Sequence, residues 1–172
     1  MVSRALNLIL RGLQFFFMLV VLALIAAMIA QATNGNPATV NYNIFVAVFA
    51  MLSLFYLVAV AFNDSFTGHP IIPIALDALN TLFIFAGATA LAAGLGVHSC
   101  SNRSYTRSNH ITNGANNTGN RCREAQAATA FLYFAFACFA VTTFFSFLGG
   151  RSSGVNMRAP GIRKGGPTMS QV

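Results

Sequence analysis

Long apolar stretches alternate with short polar segments along the 172 residues, and this pattern predicts four membrane-spanning helices. Each stretch has about the 20 residues that a helix needs to cross a hydrocarbon core of ~30 Å. The stretches lack the alternation at every second position that membrane β-strands show. Helices also satisfy their own backbone polar groups inside lipid. We predict spans at residues 13–30, 44–62, 74–96 and 125–148.

The first stretch has a second interpretation, as a signal peptide. It follows Arg4 and Arg11 and ends in Ala30-Gln31-Ala32, a pattern typical of a cleavage site. Its apolar core is longer than the ~7–15 residues of a signal peptide. We therefore expect a retained anchor that forms the first helix.

The composition agrees with lipid as the surrounding solvent. Hydrophobic residues make up 56% of the chain and charged residues only 8%, whereas a soluble domain is about one-quarter charged. Three acidic residues are too few to cover a surface that faces water. The expected fold is an all-α, integral membrane four-helix bundle in one domain over residues 1–148, followed by a tail at 149–172.

Positive charges give a narrow indication of the orientation. Lys and Arg concentrate on the cytosolic side of membrane proteins. The terminal segments carry more of them than the loop at 97–124, so we expect both termini in the cytosol and this loop outside. The terminal residues are Arg4, Arg11, Arg151, Arg158, Arg163 and Lys164, and those of the loop are Arg103, Arg107, Arg121 and Arg123.

Two cysteines, Cys100 and Cys122, lie near the two ends of that loop. A loop that returns to the membrane can bring them within the ~4.4–6.8 Å Cα separation of a disulfide, a bond that persists outside the cytosol. Two alternatives stay open, a pair of free thiols or a metal site completed by His98 and His110. The metal site is disfavoured because the sequence has no closely spaced ligand pair.

Two N-x-S/T sequons in the same loop make Asn102 and Asn116 candidates for glycosylation on the extracellular side. A third sequon, at Asn63, falls in a loop that we expect in the cytosol. We therefore expect Asn63 to stay unmodified.

Small residues recur at every fourth position of the third predicted helix. This spacing lets helix backbones approach closely in a lipid solvent, where burial of apolar side chains gains little. We favour packing inside the bundle and keep an oligomer contact as the alternative. The two stripes are Ala86, Ala90 and Gly94, and Ala88, Ala92 and Gly96.

Asp77 is the only acidic residue within a predicted span. Carboxylates at depth often mark ion paths, but Asp77 follows Pro73 by one turn, where a helix N-terminus favours negative charge. We expect a capping or interfacial role, since no partner at depth is evident.

Motifs for nucleotide, zinc-protease or serine-hydrolase chemistry are missing from the sequence, so neither catalysis nor nucleic-acid binding is expected.

The segment 149–172 is rich in Gly, Pro and Ser, a composition that predicts a disordered cytosolic tail. Its positive charges are expected to hold the topology and to contact anionic lipid or a scaffold protein. They are Arg151, Arg158, Arg163 and Lys164.

Three segments, taken in order, resemble the MARVEL-domain tetraspan proteins and most closely the fungal non-classical export protein family. The first is ALNLILRGLQFFFMLVVLALIA, with Arg11 and Gln14 at the head of helix one. The second is IPIALDALNTLFIFAGATALA, with Asp77 at the head of helix three. The third is the cysteine-bounded loop that runs into NRCREAQAATAFLYFAFACF.

The resemblance implies a non-enzymatic, self-associating protein of the plasma membrane and secretory-pathway membranes. Such proteins organise lateral microdomains of the eisosome type and respond to sphingolipid. The resemblance implies eisosome scaffold proteins as cytosolic partners, a bound sphingolipid or sterol and no cofactor, and a Cys100–Cys122 disulfide. The alternatives are a small channel or transporter, and a trafficking adaptor for unconventional secretion.

Overall fold

The computed structural model describes residues 4–33, 35–63, 66, 68–69 and 71–152, and these fold into a helical bundle. Four long helices are joined by short connections, and one short helix lies in the longest loop. The helices are α1 (Arg4–Ala30), α2 (Ala38–Phe62), α3 (Ile71–Leu95), α4 (Arg103–Ser108) and α5 (Thr118–Ser152). The long helices are apolar and long enough to cross a membrane, which confirms the prediction of four spans.

All four spans begin earlier than the apolar stretches from which they were predicted. Helix α1 begins at Arg4 and not near residue 13, and α5 begins at Thr118 and not at Ala125. In α1, α2 and α5 the added turns each carry a buried polar residue that faces the bundle interior, namely Arg11, Asn43 and Arg121. The apolar span of α5 ends at Leu148, and the helix continues to Ser152. The remaining residues of the tail lie outside the described part of the chain.

The long helices pack in a closed square, in which α1 contacts α2 and α5, and α3 contacts the same two helices. Helices α1 and α3 begin, and α2 and α5 end, at one end of the bundle, which we call the terminal end. The opposite end, which carries the loop at 96–117, is the loop end.

Buried positions repeat with alternating steps of three and four residues on each long helix. On α5 they run through Arg121, Ala125, Ala128, Leu132, Ala135, Phe139 and Thr142, and on α1 through Arg11, Gln14, Met18, Val21, Ile25 and Met28. This heptad spacing is the one that side chains of nearly parallel or antiparallel helices adopt when they interdigitate. We call these rows the seams. Their middle parts are apolar, whereas their ends carry polar residues.

The outer surface of the bundle is apolar and rich in phenylalanine. Leu52, Phe55 and Leu82 are each more than 60% exposed, and the aromatic side chains of α5 are distributed around the helix, as its sequence indicates. Because the described bundle has no other cover for this surface, the acyl chains of the membrane solvate it.

The small-residue stripes of α3 face different environments. Successive residues of an α-helix are ~100° apart, so stripes displaced by two residues cannot both face the core. Ala88 is buried, but Ala86 and Ala90 are exposed, and the prediction of packing inside the bundle is therefore wrong for these two alanines. Ala92 is half-buried.

Three glycines at or near these stripes have distinct roles. Gly94 lies beneath the side chain of Ile111, where any Cβ would collide, so it packs against the loop and not against another helix. Gly96 ends α3 with a positive φ of 59°, the conformation typical of a glycine after a helix. Helix α2 also lies close to α3 at Gly87, where a Cβ would lie 2.5 Å from Asn43 Oδ1.

Candidate functional site

A buried ion pair joins α1 to α3 near the terminal end of the bundle. Arg11 Nη1 lies 2.5 Å from Asp77 Oδ1, and Arg11 Nη2 lies 2.7 Å from Asp77 Oδ2. The two parallel contacts form the bidentate geometry that is strongest between a guanidinium and a carboxylate. The Asp77 side chain is fully buried and that of Arg11 is nearly so. Each charge therefore depends on the other, because lipid offers neither of them a solvent.

The ion pair extends into a network that reaches α5. Arg11 Nη1 also donates to Gln14 Oε1 at 3.0 Å, and Gln14 Nε2 donates to Thr142 Oγ1 at 2.9 Å. On the next turn of α3, Asn80 Nδ2 donates to Ser53 Oγ of α2 at 2.7 Å. These contacts together link all four spans in one polar layer.

The position of Asp77 corrects the interpretation of this residue as a cap. Helix α3 begins at Ile71, so Asp77 lies more than one turn inside the helix and faces the core. Its partner inside the bundle is Arg11. We predicted Arg11 to lie outside the first span because the apolar stretch begins only at residue 13. The four polar residues Arg11, Gln14, Asp77 and Asn80 are in register with the apolar seams, and this heptad spacing is the signal that identifies them.

A buried arginine, Arg121, organises the loop end. Its side chain is 0% exposed and donates from Nε to Ile111 O at 2.8 Å and from Nη1 to Met28 O at 2.7 Å. A third bond runs from Nη2 to Asn36 Oδ1 at 2.9 Å. Met28 belongs to the last turn of α1, whose carbonyls have no partner within the helix. Arg121 therefore joins α5, α1 and both loops of this end.

Further hydrogen bonds hold the loop against the helix ends. Thr33 N donates to Gly114 O at 2.8 Å, beside an isolated antiparallel bridge between Ala32 and Ala115. Asn109 Nδ2 donates to Gly94 O at 2.7 Å. Gln31 Nε2 donates to Glu124 Oε1 at 2.8 Å. The loop is thus a fixed lid over the loop end.

Tyr105 of α4 attaches the lid to the end of α3. Its hydroxyl donates to Leu95 O, and its ring lies 4.5 Å from that of His98, measured between centroids. Burial raises the pKa of Tyr105 above its ordinary value, so the hydroxyl stays protonated and remains a donor at physiological pH.

A disulfide between Cys100 and Cys122 closes the lid onto the first turns of α5, with a Cα–Cα distance of 5.6 Å. This bond confirms the predicted pairing. It also excludes the two alternatives, because neither sulfur remains as a free thiol or a metal ligand. Among the described residues, His, Cys, Asp and Glu form no group of three or more that could hold a metal.

Replacing Cys100 by serine is expected to lower the free energy of unfolding by roughly 3 kcal/mol, since the bond closes a loop with a sequence separation of 22 residues. Thermal unfolding of the purified protein in detergent measures the change. The control is Cys138→Ser, which leaves the bond intact, since Cys138 is the free cysteine of the described chain. Equal unfolding temperatures for Cys100→Ser and the wild type would contradict the stabilising role.

The remaining predicted site residues lie at the two ends of the bundle. Asn102 is exposed and caps α4, accepting from Ser104 N and Tyr105 N, and Asn116 is exposed in the lid. Arg151 lies in the last turn of α5, whereas Arg158, Arg163 and Lys164 lie outside the described residues. The contacts expected of these basic residues stay a prediction.

Residues 4–145, which include all four spans and the lid, match the model of MARVEL, a membrane-associating domain. The chain belongs to the MARVEL family. It is 40% identical over 168 residues to non-classical export protein 102 of Candida albicans, which covers 96% of this chain and 97% of the relative. It is 36% identical over 171 residues to non-classical export protein 2 of Saccharomyces cerevisiae, covering 95% and 96%.

These relatives place the chain among the non-classical export proteins of the MARVEL family. A relative in Schizosaccharomyces pombe, named non-classical export protein 2 homolog, is 33% identical over 121 residues, which cover 70% of this chain and 64% of that protein. No solved structure matches the chain. The family and the four spans together establish a multi-pass membrane protein.

Proposed function

We propose that this MARVEL protein is a non-enzymatic organiser of lateral domains in the plasma membrane, of the eisosome type. It associates with copies of itself and responds to sphingolipid. The observation that supports this proposal is a closed core inside an apolar, aromatic outer surface. Such a molecule interacts with its surroundings laterally, through lipid and neighbouring proteins, and not by passing a solute.

The closed core is the argument against a channel. Between the two polar ends, the seams are filled by apolar side chains that are fully buried, namely Val21, Ile25, Leu54, Leu91 and Leu132. The polar residues of the Arg11–Asp77 layer bond to one another, and this layer lies near one end. A continuous polar path across the described bundle is therefore missing.

The outer surface provides the contacts that lateral assembly requires. Phe45, Phe49 and Phe83 form a ring cluster on α2 and α3, with centroid separations of 5.5–6.1 Å. Near it on α3, the exposed Ala86 and Ala90 form a shallow strip at the spacing that lets a second helix approach closely. We propose that this strip is the contact between copies.

The proposed orientation places both termini in the cytosol and the lid outside. The disulfide supports this orientation, since such bonds persist on the oxidising side of the membrane. The basic tail would then face the anionic cytosolic leaflet, where each basic residue adds about 1 kcal/mol of attraction, and eisosome scaffold proteins are its proposed partners.

The names of the relatives favour a second candidate, an adaptor in non-classical export. In that case the cytosolic tail would recruit the trafficking machinery. Deletion of residues 153–172 separates the candidates, because an organiser keeps its membrane patches without the tail and an adaptor loses its activity in export.

Enlarging the exposed strip is expected to weaken self-association. The double variant Ala86→Leu/Ala90→Leu places two bulky side chains where a second helix would approach, and energy transfer between labelled copies in vesicles should fall by at least about half. The control, Ala130→Leu/Ala137→Leu, enlarges two exposed alanines of α5. Vesicles with and without sphingolipid test the lipid response in the same assay.

A second experiment tests the alternative of a channel. If the wild type conducts ions and Asp77→Asn does not, the proposal is overturned in favour of a channel.

A further inference from the structure

Two arginines of the lid and one of α5 line a cavity beside the disulfide. The cavity has a volume of about 540 Å³, within the range of small-molecule sites. Arg103 and Arg107 of α4 contribute one wall, and Arg123 of α5 contributes the other. The bond between Cys100 and Cys122 joins the two walls, so their separation is fixed.

None of these three arginines is paired with a carboxylate. In the described part of the chain the ion pair joins Arg11 to Asp77, and the Glu124 carboxylate accepts from Gln31. All three are exposed, and each guanidinium carries several N–H donors in a fixed fork. The cavity therefore presents three fixed positive charges to whatever enters it.

The rest of the lining adds neutral hydrogen-bonding groups. Asn116, Asn117 and Thr118 contribute amide and hydroxyl groups to the wall formed by the start of α5. The hydroxyls of Thr106 and Thr118 form a hydrogen bond with each other at 3.0 Å, which holds the two walls together. Planar guanidinium groups next to amides and hydroxyls match the oxygens of a phosphate ester, which accept several hydrogen bonds at once.

We propose that this cavity binds a phosphate-bearing anion. The cavity lies at the first turns of α5, before the apolar part of the span, and so at the level of the lipid headgroups. The ligand is thus either the phosphorylated headgroup of a membrane lipid or a free phosphate ester. The inference extends the proposed function, since it supplies the lid of a membrane organiser with a ligand.

The proposal is tested by measuring ligand binding to the purified full-length protein in neutral detergent. Native mass spectrometry detects ligands that the protein retains or that are added in a titration. The probes are phosphatidylinositol against phosphatidylcholine for the headgroup, and glycerol 3-phosphate for the free ester. The triple variant Arg103→Gln/Arg107→Gln/Arg123→Gln is expected to bind at least about tenfold more weakly than the wild type. The control Arg4→Gln removes a positive charge at the opposite end of the bundle, outside the cavity.

The two ligand sources give different results. Retention of phosphatidylinositol without measurable binding of glycerol 3-phosphate identifies a headgroup site, and comparable binding of both identifies a site for the free ester. The proposal is overturned if neither probe binds, if the cavity variant binds as the wild type does, or if the Arg4→Gln control loses as much. Because Arg103, Arg107 and Arg123 are exposed, the unfolding temperature of the cavity variant should be unchanged.

Glycosylation provides a further comparison, because Asn116 lines the cavity and Asn102 does not. If Asn116 carries a glycan in the native host, Asn116→Gln should open the site and increase binding, whereas Asn102→Gln should not.

The anion site and the proposed function can fail separately. Labelled copies can be tested in vesicles that contain sphingolipid but no phospholipid with a net charge. If the copies associate there although the cavity binds no anion, the anion site alone is contradicted and the proposed function stands. Loss of that association with anion binding preserved would instead contradict the proposed function alone.

Discussion

Replacing Asp77 by alanine is expected to lower the free energy of unfolding by about 3–5 kcal/mol, because a buried charge loses its partner. The carboxylate accepts two short bonds from Arg11 and is fully buried. Its removal leaves the Arg11 guanidinium inside the bundle without a counter-charge. Equilibrium unfolding in mixed micelles measures the loss.

The double variant Arg11→Met/Asp77→Leu is the informative companion. Replacement of both charges by apolar groups of similar size removes the desolvation cost together with the attraction, so its stability should lie within about 1 kcal/mol of the wild type or above it. Leu52→Ala, at a side chain 65% exposed to lipid, controls for general sensitivity. The single variants Arg11→Met and Asp77→Leu complete the comparison. If the double variant loses as much free energy of unfolding as the two single variants together, the charges do not act as a pair.

Replacing Arg121 by methionine is expected to cost about 3–5 kcal/mol as well, because three hydrogen bonds from a buried cation are lost at once. The methylene part of the side chain is retained, so the loss reports on the guanidinium and not on packing. The effect should be local: hydrogen exchange of the backbone amides should accelerate in the lid and in the last turn of α1, and not around Asp77.

Arg121→Lys distinguishes geometry from charge. Lysine keeps the positive charge but cannot reach Ile111 O, Met28 O and Asn36 Oδ1 together, since its ammonium is a single point and not a planar fork. We expect it to recover less than half of the loss. Full recovery by lysine would show that the charge alone stabilises the loop end.

The apolar stretches determine much of this fold in advance. Four stretches of about 20 residues with few charges leave helices as the only spanning structure that their length and pattern allow. The disulfide was also predictable, because Cys100 and Cys122 flank one loop whose ends return to the same side of the bundle. Both features depend on local composition and chain order.

The polar contacts between helices could not be predicted from the apolar stretches. Hydropathy averages over a window, so Arg11 at the edge of a stretch looks like a residue outside the membrane. Its pairing with Asp77 depends on which faces of α1 and α3 meet, and that is a property of packing. The register of Arg11 with Met18 and Ile25, seven residues apart, was nevertheless present in the sequence and marks Arg11 as a core position.

The prediction that Ala86 and Ala90 pack inside the bundle was wrong because it relied on a pattern within one helix. The four-residue spacing of Ala86 and Ala90 is real, but spacing alone does not say whether a face meets a helix of the same bundle, another copy or lipid. One contact that does join α2 to α3 involves Gly87 and Asn43. That pair combines a small residue with a polar one on facing helices, and no single-helix pattern contains it.

The polar attachments at the two ends of α1 have a mechanical consequence. Arg11 is tied to α3 near one membrane surface and Met28 O to α5 near the other, and the two points are about 25 Å apart along the helix axis. Neither neighbour can slide past α1 without breaking charged bonds in a medium that offers no replacement. When the bilayer thins or thickens, α1, α3 and α5 must therefore tilt together as one body, and the strain is passed to the surrounding lipid.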